Sequence, residues 1–190
     1  MGQTKRIIMK IIKGLFLSVL VLTFASCDDD DDNEVVDNTM TYEAQLGSIN
    51  DSGANGTATV SIQDDMLTVN VQAQGMVPNQ AHPQHIHGLT SGEEGTCPPA
   101  SADTDEDGII TIPEGAPFYG EVILPLADFP MADENGNISY EKTFMLGENE
   151  NPTMAELGDL DNRVIVLHGL NNNDEYVATI PVACGELDEM

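Results

Sequence analysis

One twelve-residue segment carries oxygen atoms at the spacing of a calcium-binding loop. Gly108 stands at position six, where such a loop turns sharply, and Glu114 stands at position twelve, where a bidentate carboxylate closes it. The alternative is an acidic turn in an acidic protein, which accounts for alternating aspartates but not for the glycine and the final glutamate. We therefore predict a calcium site. Its candidate ligands are Asp103, Asp105, Asp107, Ile109 through its backbone carbonyl, Thr111 and Glu114.

Prolines flank this loop on both sides. Pro98 and Pro99 precede it, Pro113 lies inside its last turn, and Pro117 follows. Because proline removes a backbone donor and clashes with the preceding turn, we expect no helix to enter or leave the loop. A calcium sensor needs two helices whose angle changes on binding. The flanks therefore indicate a structural site, with an affinity of about 10⁻⁴ to 10⁻³ M.

All four histidines lie in two short segments. His82, His85 and His87 fall within residues 81–88, and His168 ends the apolar run 163–168. Alternate residues of a strand project from one face, so His85 and His87 can bind one atom, and His168 is placed to complete a three-nitrogen site. Imidazole suits copper and zinc. The alternative is that hydrogen bonds alone hold these side chains, with no metal.

Residues 1–26 have the pattern of a signal peptide. Lysines and an arginine precede an apolar run, Leu15 to Phe24, that is too short to span a bilayer. The run Thr23 to Cys27 resembles a bacterial lipoprotein box, with Phe24 in place of the usual leucine. The resemblance implies that Cys27 becomes the lipidated first residue of the mature chain. The alternative is an ordinary secretory signal cut nearby.

The segment 27–40 is predicted to be an acidic, disordered tether. Asp28 to Asp32 follow Cys27 directly, and like charges at this density repel one another and keep a chain extended. Acidic residues behind a lipidated cysteine also resemble the surface-export signal of Bacteroidetes lipoproteins. The alternative is a spacer that carries no export signal. The predicted location is the bacterial cell envelope, with a lipid anchor in the outer membrane, and this resemblance extends it to surface display.

Charge and cysteine usage fit an exported protein. Removal of residues 1–26 takes the net charge from −27 to −31, because four of the six Lys and Arg residues lie there. Such a surface repels nucleic acid and attracts divalent cations. Of three cysteines, lipidation leaves Cys97 and Cys184, which in an exported chain most simply form one disulfide.

Residues 41–190 are predicted to form one all-β domain. Short alternating runs between Gly, Asn and Asp turns favour an antiparallel sandwich or barrel, with one short helix at 152–160. With no Trp and few other aromatics, the core should consist of Val, Ile, Leu and Met. The predicted strands are 42–46, 57–62, 67–72, 85–88, 120–126, 138–144, 163–168 and 176–182.

Several of these segments carry a family resemblance. The runs 56–60, 67–71 and the HIHG at 85–88 resemble the CHRD domain, named after chordin. The same HIHG, the RVIVLHG at 163–169 and the VACG at 182–185 resemble the copper/zinc superoxide dismutase sandwich. The resemblance implies an antiparallel Greek-key β-sandwich of about eight strands, in which the calcium-binding loop is an insertion. It also implies copper ligation by His85, His87 and His168 and a bond between Cys97 and Cys184.

The chain departs from the dismutase pattern where catalysis depends on it. No histidine lies between Gly88 and Leu167, the interval in which dismutases have a bridging histidine and a zinc cluster. His82 is a candidate replacement for the bridging ligand, and Pro181 stands in place of the arginine that guides the substrate. A strongly negative surface would also repel superoxide. We predict a calcium-binding lipoprotein with a non-catalytic CHRD or dismutase-like binding domain; the alternative is a copper-dependent, dismutase-like oxidoreductase.

Overall fold

The computed structural model of this chain describes residues 38–190. The predicted signal peptide, Cys27 and most of the acidic tether lie outside the described residues. No helix within 38–190 is long and apolar enough to cross a membrane. The described part is built from antiparallel strands, which confirms the all-β prediction.

Each predicted strand is present, and most are longer than predicted. The short helix predicted at 152–160 is confirmed as α2. The strands are β1 (Met40–Ser48), β2 (Asn55–Gln63), β3 (Met66–Gln74), β4 (Gln84–Gly88), β5 (Glu121–Pro125), β6 (Ile138–Met145), β7 (Val164–Asn172), β8 (Glu175–Glu186) and β9 (Asp188–Glu189). The helices are α1 (Ile112–Tyr119) and α2 (Met154–Leu157), with 3₁₀ turns at Ala100–Ala102 and Leu160–Asn162.

The strands form one curled sheet in the order β5-β4-β7-β8-β1-β2-β3-β6, with β9 paired to β1. β1 joins the two halves of this sheet: it pairs with β2 over most of its length, but with β8 only at Gly47 and Ser48. The connections β3–β4, β5–β6 and β6–β7 each cross from one half to the other. This order gives the two-layered, sandwich-like Greek-key arrangement.

The main core lies between the two halves. Alternate residues of β2 and β3, such as Val60 and Val69, are fully buried there against Ile86 of β4 and Ile165 of β7. Val, Ile and Leu dominate this core as predicted, but the expectation for methionine is wrong. Only Met76 is among the buried core residues, while six other methionines are large exposed hydrophobic residues. Those six lie mostly at strand ends and in connections, where local alternation does not predict burial.

A second, smaller core covers the outer face of β4, β7 and β8. The even-numbered side chains of β7, Val164 and Val166, pack there against Ile110 and Tyr119 from the long connection 89–120. Val164 to His168 are therefore buried on both faces of the sheet. A chemically active side chain on this outer face lies beneath a folded loop instead of in open solvent.

The disulfide predicted between Cys97 and Cys184 is confirmed, with a Cα–Cα distance of 5.7 Å. It attaches the start of the long connection to β8 across a sequence separation of 87 residues. In the chain-entropy account, closing a loop of this length stabilises the fold by about 4.6 kcal/mol. The bond therefore holds the covering connection against β8, the neighbour of the strand that carries His168.

The expectation that no helix leaves the acidic loop is wrong. α1 begins at Ile112, inside the loop's last turn, and continues to Tyr119. Pro113 lies in the first turn of α1, where backbone N–H groups have no intrahelical acceptor, so its missing donor costs little. The entry side has only the single 3₁₀ turn Ala100–Ala102.

Candidate metal centres

Three of the four histidines converge on the outer face of β4 and β7. His85 and His87 are alternate residues of β4, and β4 pairs with β7 so that His85 lies opposite Val166. His168 follows at the next position on the same face of β7, and its backbone N–H donates to the Pro83 carbonyl at 2.8 Å. The pairing register of two strands therefore brings the three imidazoles together.

The ligand atoms of this histidine centre, one from each of His85, His87 and His168, all lie within 4.8 Å of one another. The ring centroids are 5.2 Å apart for His85 and His168, and 5.5 Å apart for His85 and His87. Both neighbouring strand pairs have a register irregularity here, between Ile86 and His87 and around His168. Such bulges re-aim side chains beside functional sites. The centre can hold a metal ion.

Backbone carbonyls fix the tautomer of two of the rings. His87 Nδ1 donates to the Gly120 carbonyl at 3.1 Å, and His168 Nδ1 donates to the Thr179 carbonyl at 3.0 Å. A ring nitrogen that donates leaves the other nitrogen with a free lone pair. His87 Nε2 and His168 Nε2 are buried without a hydrogen-bond partner, and so is His85 Nδ1. Each ring thus presents one unpaired nitrogen, which is the state a metal requires.

Burial keeps these rings neutral. Desolvation lowers the pKa of His168 to about 3, against an opposing hydrogen bond to Thr179. It lowers the pKa of His87 to about 4, and the pKa of His85 below its ordinary value. A neutral imidazole is the form that binds metal, so no proton competes for these nitrogens near neutral pH.

His82 does not join this centre, so it is not placed as a bridging ligand. Its side chain is fully buried. Its Nδ1 lies 2.8 Å from the His168 carbonyl oxygen, and its Nε2 lies 3.0 Å from the Val77 carbonyl oxygen. Both ring nitrogens therefore face carbonyl oxygens of the fold, and a neutral ring donates to one of them. His82 supports the backbone that carries His168, a structural role that its sequence position did not reveal.

Two aromatic residues that the sequence did not single out contact the histidine centre. The buried Tyr119 ring lies 4.8 Å from the His87 ring, and burial raises the pKa of Tyr119 to about 12. The Phe129 ring lies 5.7 Å from the His85 ring, edge to face. Neither contact has a local sequence signal, because 32 residues separate His87 from Tyr119 in the chain and 44 separate His85 from Phe129.

The acidic loop forms a second candidate centre. One carboxylate oxygen from each of Asp103, Asp105 and Glu114 lies within 4.8 Å of the others. Asp103 also accepts hydrogen bonds from the backbone of Gly108 at 2.9 Å and of Asp107 at 3.2 Å. The predicted acidic ligands at positions one, three and twelve are therefore brought together.

The remaining predicted ligands have other arrangements. The Asp107 carboxylate lies outside the group of three and accepts the Ile109 backbone N–H at 2.8 Å. The Thr111 hydroxyl donates to Glu114 Oε2 at 2.8 Å. Thr111 thus lies within the loop closure and contacts the glutamate instead of pointing away.

Glu114 links the loop to α1. Its Oε2 accepts from the Thr111 backbone N–H at 2.9 Å, as a glutamate at the third helical position does in a capping box. Its Oε1 accepts from the backbone N–H and the hydroxyl of Thr104 at 2.8 and 2.9 Å. These hydrogen bonds lower the pKa of Glu114 to about 2, those from Thr111 contributing most. The carboxylate is ionised under ordinary conditions.

Asn50, which the sequence did not indicate, attaches this loop to the sandwich. Its Oδ1 accepts from the Ile110 backbone N–H at 2.7 Å. Its Nδ2 donates to the carbonyls of Ile110 and Pro181, each at 3.0 Å. The loop is thereby fixed to β8, the strand that also supplies the disulfide cysteine.

Both cations that remain after residue 26 are engaged within the fold. Lys142 forms an ion pair with Asp128 at 2.7 Å, and Arg163 is buried with its Nε donating to the Leu157 carbonyl at 2.7 Å. Neither faces the histidine centre with a free charge.

Protein-family models and curated proteins were both compared with the chain, and neither gave a match.

Proposed function

We propose that this protein is a copper-binding, calcium-stabilised domain, attached by a lipid on Cys27 to the outer membrane of a bacterial envelope. Its primary role is to bind metal, and it belongs with the CHRD and dismutase-like sandwiches. The observation that carries the copper centre is a group of three histidines whose ligand atoms lie within 4.8 Å of one another, each with a buried ring nitrogen that has no hydrogen-bond partner. Leaving a buried polar atom unpaired costs about 1–3 kcal/mol, and a metal ion bound by all three rings would remove this cost at each ring.

Copper is proposed in preference to zinc on the donor set. Neutral imidazoles suit both ions, but a given nitrogen site binds divalent copper more tightly than zinc. The two rings whose Nδ1 atoms donate to carbonyls also have the second contact that orients histidine ligands at metal sites. Zinc retained against competing copper would change the identity of the ion without changing the site.

Calcium is proposed for the acidic loop on separate grounds. Three carboxylates meet at the loop positions where calcium ligands are expected, beside the glycine turn and the helix start. Calcium bound to both oxygens of Glu114 would replace the hydroxyl hydrogen bonds from Thr104 and Thr111. The ion would then stabilise the long connection and the start of α1, which is a structural role.

The test of the copper centre is titration with a weak copper chelate, followed by calorimetry and by electron paramagnetic resonance. We expect one tight site whose spectrum shows nitrogen ligands. His85→Ala should lose it at little cost in stability, because that ring makes no hydrogen bond through its buried Nδ1. Gln63→Ala, an exposed change on β2 in the other half of the sheet, should bind as the wild type does. Tight binding retained in His85→Ala would contradict the proposal.

A copper-dependent oxidoreductase is the alternative, favoured by one feature. The histidine group contains three protein ligands, and catalytic metal sites keep a position open for substrate. Against it, superoxide is an anion and the charge of the processed chain, −31, opposes its approach. Copper-loaded protein should therefore give no superoxide turnover above the free-metal background. Turnover above it that His85→Ala abolishes would establish the oxidoreductase.

A further inference from the structure

Phe129 is exposed in an unusual place. Its side chain keeps 38% of its accessible surface, yet its ring packs edge to face against the His85 ring at a centroid distance of 5.7 Å. Exposing a large aromatic surface to water is unfavourable. An aromatic ring held against a candidate metal ligand therefore calls for an explanation beyond core packing.

Phe129 contacts the most exposed member of the histidine centre. His87 and His168 keep only 4% and 2% of their surface. His85 is the one member of the centre that is half-exposed. The Phe129 ring therefore lies against the most exposed of the three histidines.

The segment before Phe129 is anchored to β6. The Tyr140 hydroxyl donates to the Ala127 carbonyl at 3.1 Å, and Lys142 pairs with Asp128 at 2.7 Å. Asp128 also has a φ of 63°, in the left-handed region that short polar side chains tolerate. The chain therefore turns at a defined point immediately before the aromatic residue.

The segment after Phe129 is anchored to the chain that leads into β4. The His82 backbone N–H donates to the Pro130 carbonyl at 2.9 Å, and the Ala132 N–H donates to the Gln80 carbonyl at 2.9 Å. Met131 lies between these bonds and is 68% exposed. Because its backbone is fixed on both sides, the fold holds Phe129 against the His85 ring.

We propose that Phe129 is a specificity-determining residue, which admits small ligands such as water to the fourth coordination position and excludes ligands as large as imidazole. This inference rests on the proposed copper centre. Three imidazole nitrogens leave a tetrahedral or square ion with a free position. The ring selects against larger ligands by steric clash, which is how binding sites often reject a competitor.

The test uses copper-loaded protein titrated with imidazole, followed by visible absorption and electron paramagnetic resonance. Phe129→Ala should bind imidazole several-fold more tightly than the wild type, and Phe129→Leu should fall between them. Met131→Ala removes a neighbouring exposed side chain without altering a ring contact to His85, so it should behave as the wild type does. Removal of copper by ethylenediaminetetraacetate should be several-fold faster in Phe129→Ala alone.

Equal imidazole affinity in the wild type, Phe129→Leu and Phe129→Ala would overturn the assignment of Phe129 while leaving the copper centre intact. Should Phe129→Ala fail to fold, the comparison of Phe129→Leu with the wild type decides the question by the same measurement. A wild-type protein that binds no copper would overturn both this inference and the proposed function. The two failures are therefore distinguishable.

Discussion

The two ring nitrogens of His87 and of His168 have different roles in the histidine centre. On His87 and His168, Nδ1 donates to a carbonyl and Nε2 stays free, whereas on His85 the buried unpaired atom is Nδ1. A single histidine buried in this state would be a costly defect. Three such histidines grouped in one centre form an arrangement that a bound metal ion would stabilise.

Asp105 offers the sharpest test of the calcium proposal at the level of one residue. Asp105→Asn keeps the shape of the side chain but removes a charged ligand at position three, so calcium affinity should fall at least tenfold, about 1.4 kcal/mol. Glu106→Gln removes the same charge from the adjacent exposed position, whose side chain is not in the acidic group. That control should change affinity only slightly. Isothermal titration calorimetry measures both.

Equal losses in Asp105→Asn and Glu106→Gln would show that calcium responds to general surface charge. If calcium gives no heat of binding with the wild type, the proposed calcium site is contradicted. Raising the salt concentration distinguishes attraction by general surface charge from direct coordination of calcium. Screening weakens the diffuse attraction far more than it weakens the coordination.

At the level of elements, α1 joins the two candidate centres. Glu114, in its first turn, belongs to the acidic group, and Tyr119, at its end, packs against His87. Gly120 follows directly and supplies the carbonyl that accepts from His87 Nδ1. The orientation of one histidine ligand therefore depends on where this helix ends.

Gly120→Ala tests that dependence. Gly120 has a φ of 83°, and a Cβ there would lie 2.1 Å from the Gly88 carbonyl oxygen, so the backbone must shift. Gly92→Ala is the matched control, with a φ of 76° and no atom within 4 Å of the added carbon. Backbone strain alone should cost Gly92→Ala about 1–2 kcal/mol in urea denaturation, and Gly120→Ala should lose more.

Copper affinity separates a positioning role from a loss of stability. Gly120→Ala should weaken copper binding about tenfold or more and change the paramagnetic resonance spectrum, as loss of an outer contact to a metal-bound histidine does. Gly92→Ala should keep the wild-type spectrum. An unchanged spectrum in folded Gly120→Ala would mean that the Gly120 carbonyl does not position His87.

For the molecule as a whole, the inner face of the curled sheet forms the main core, and the outer face carries the histidine centre. The disulfide, Asn50 and the second core all fix the connection 89–120 over that outer face. If residues 1–26 are removed as proposed, the net charge of −31 surrounds this arrangement with a field that favours cations. This field would assist the proposed binding of metal ions.

The proposed anchor is tested on the whole protein in a bacterial host. Wild-type chain should be recovered in the membrane fraction and released by detergent, because an attached lipid with its acyl chains partitions into the bilayer. Cys27→Ser should move the protein to the soluble envelope fraction. Ser26→Ala keeps a small residue before the cysteine and should remain in the membrane. A Cys27→Ser protein that stays in the membrane fraction would contradict lipidation.

Features that depend on local pattern could be predicted before the fold was known. Alternation between turn residues gave the eight strands and the short helix, because a strand's two faces show directly in its period of two. The spacing of His85 and His87 placed them on one face for the same reason. The pairing of Cys97 with Cys184 followed from cysteine count and compartment, without reference to distance.

Most contacts between distant groups became known only from the folded structure, although the meeting of His168 with His85 and His87 was predicted. The strand register brought His168 to His85 and turned His82 away, and chain folding brought Asn50, Tyr119 and Phe129 to the two centres. It also placed a helix where prolines predicted none: Pro113 lies in the first turn, where a proline loses no hydrogen bond, and Pro117 lies inside the helix, where it removes one backbone donor. Contacts between residues far apart in the chain depend on how the whole sheet curls, and local sequence does not encode that curl.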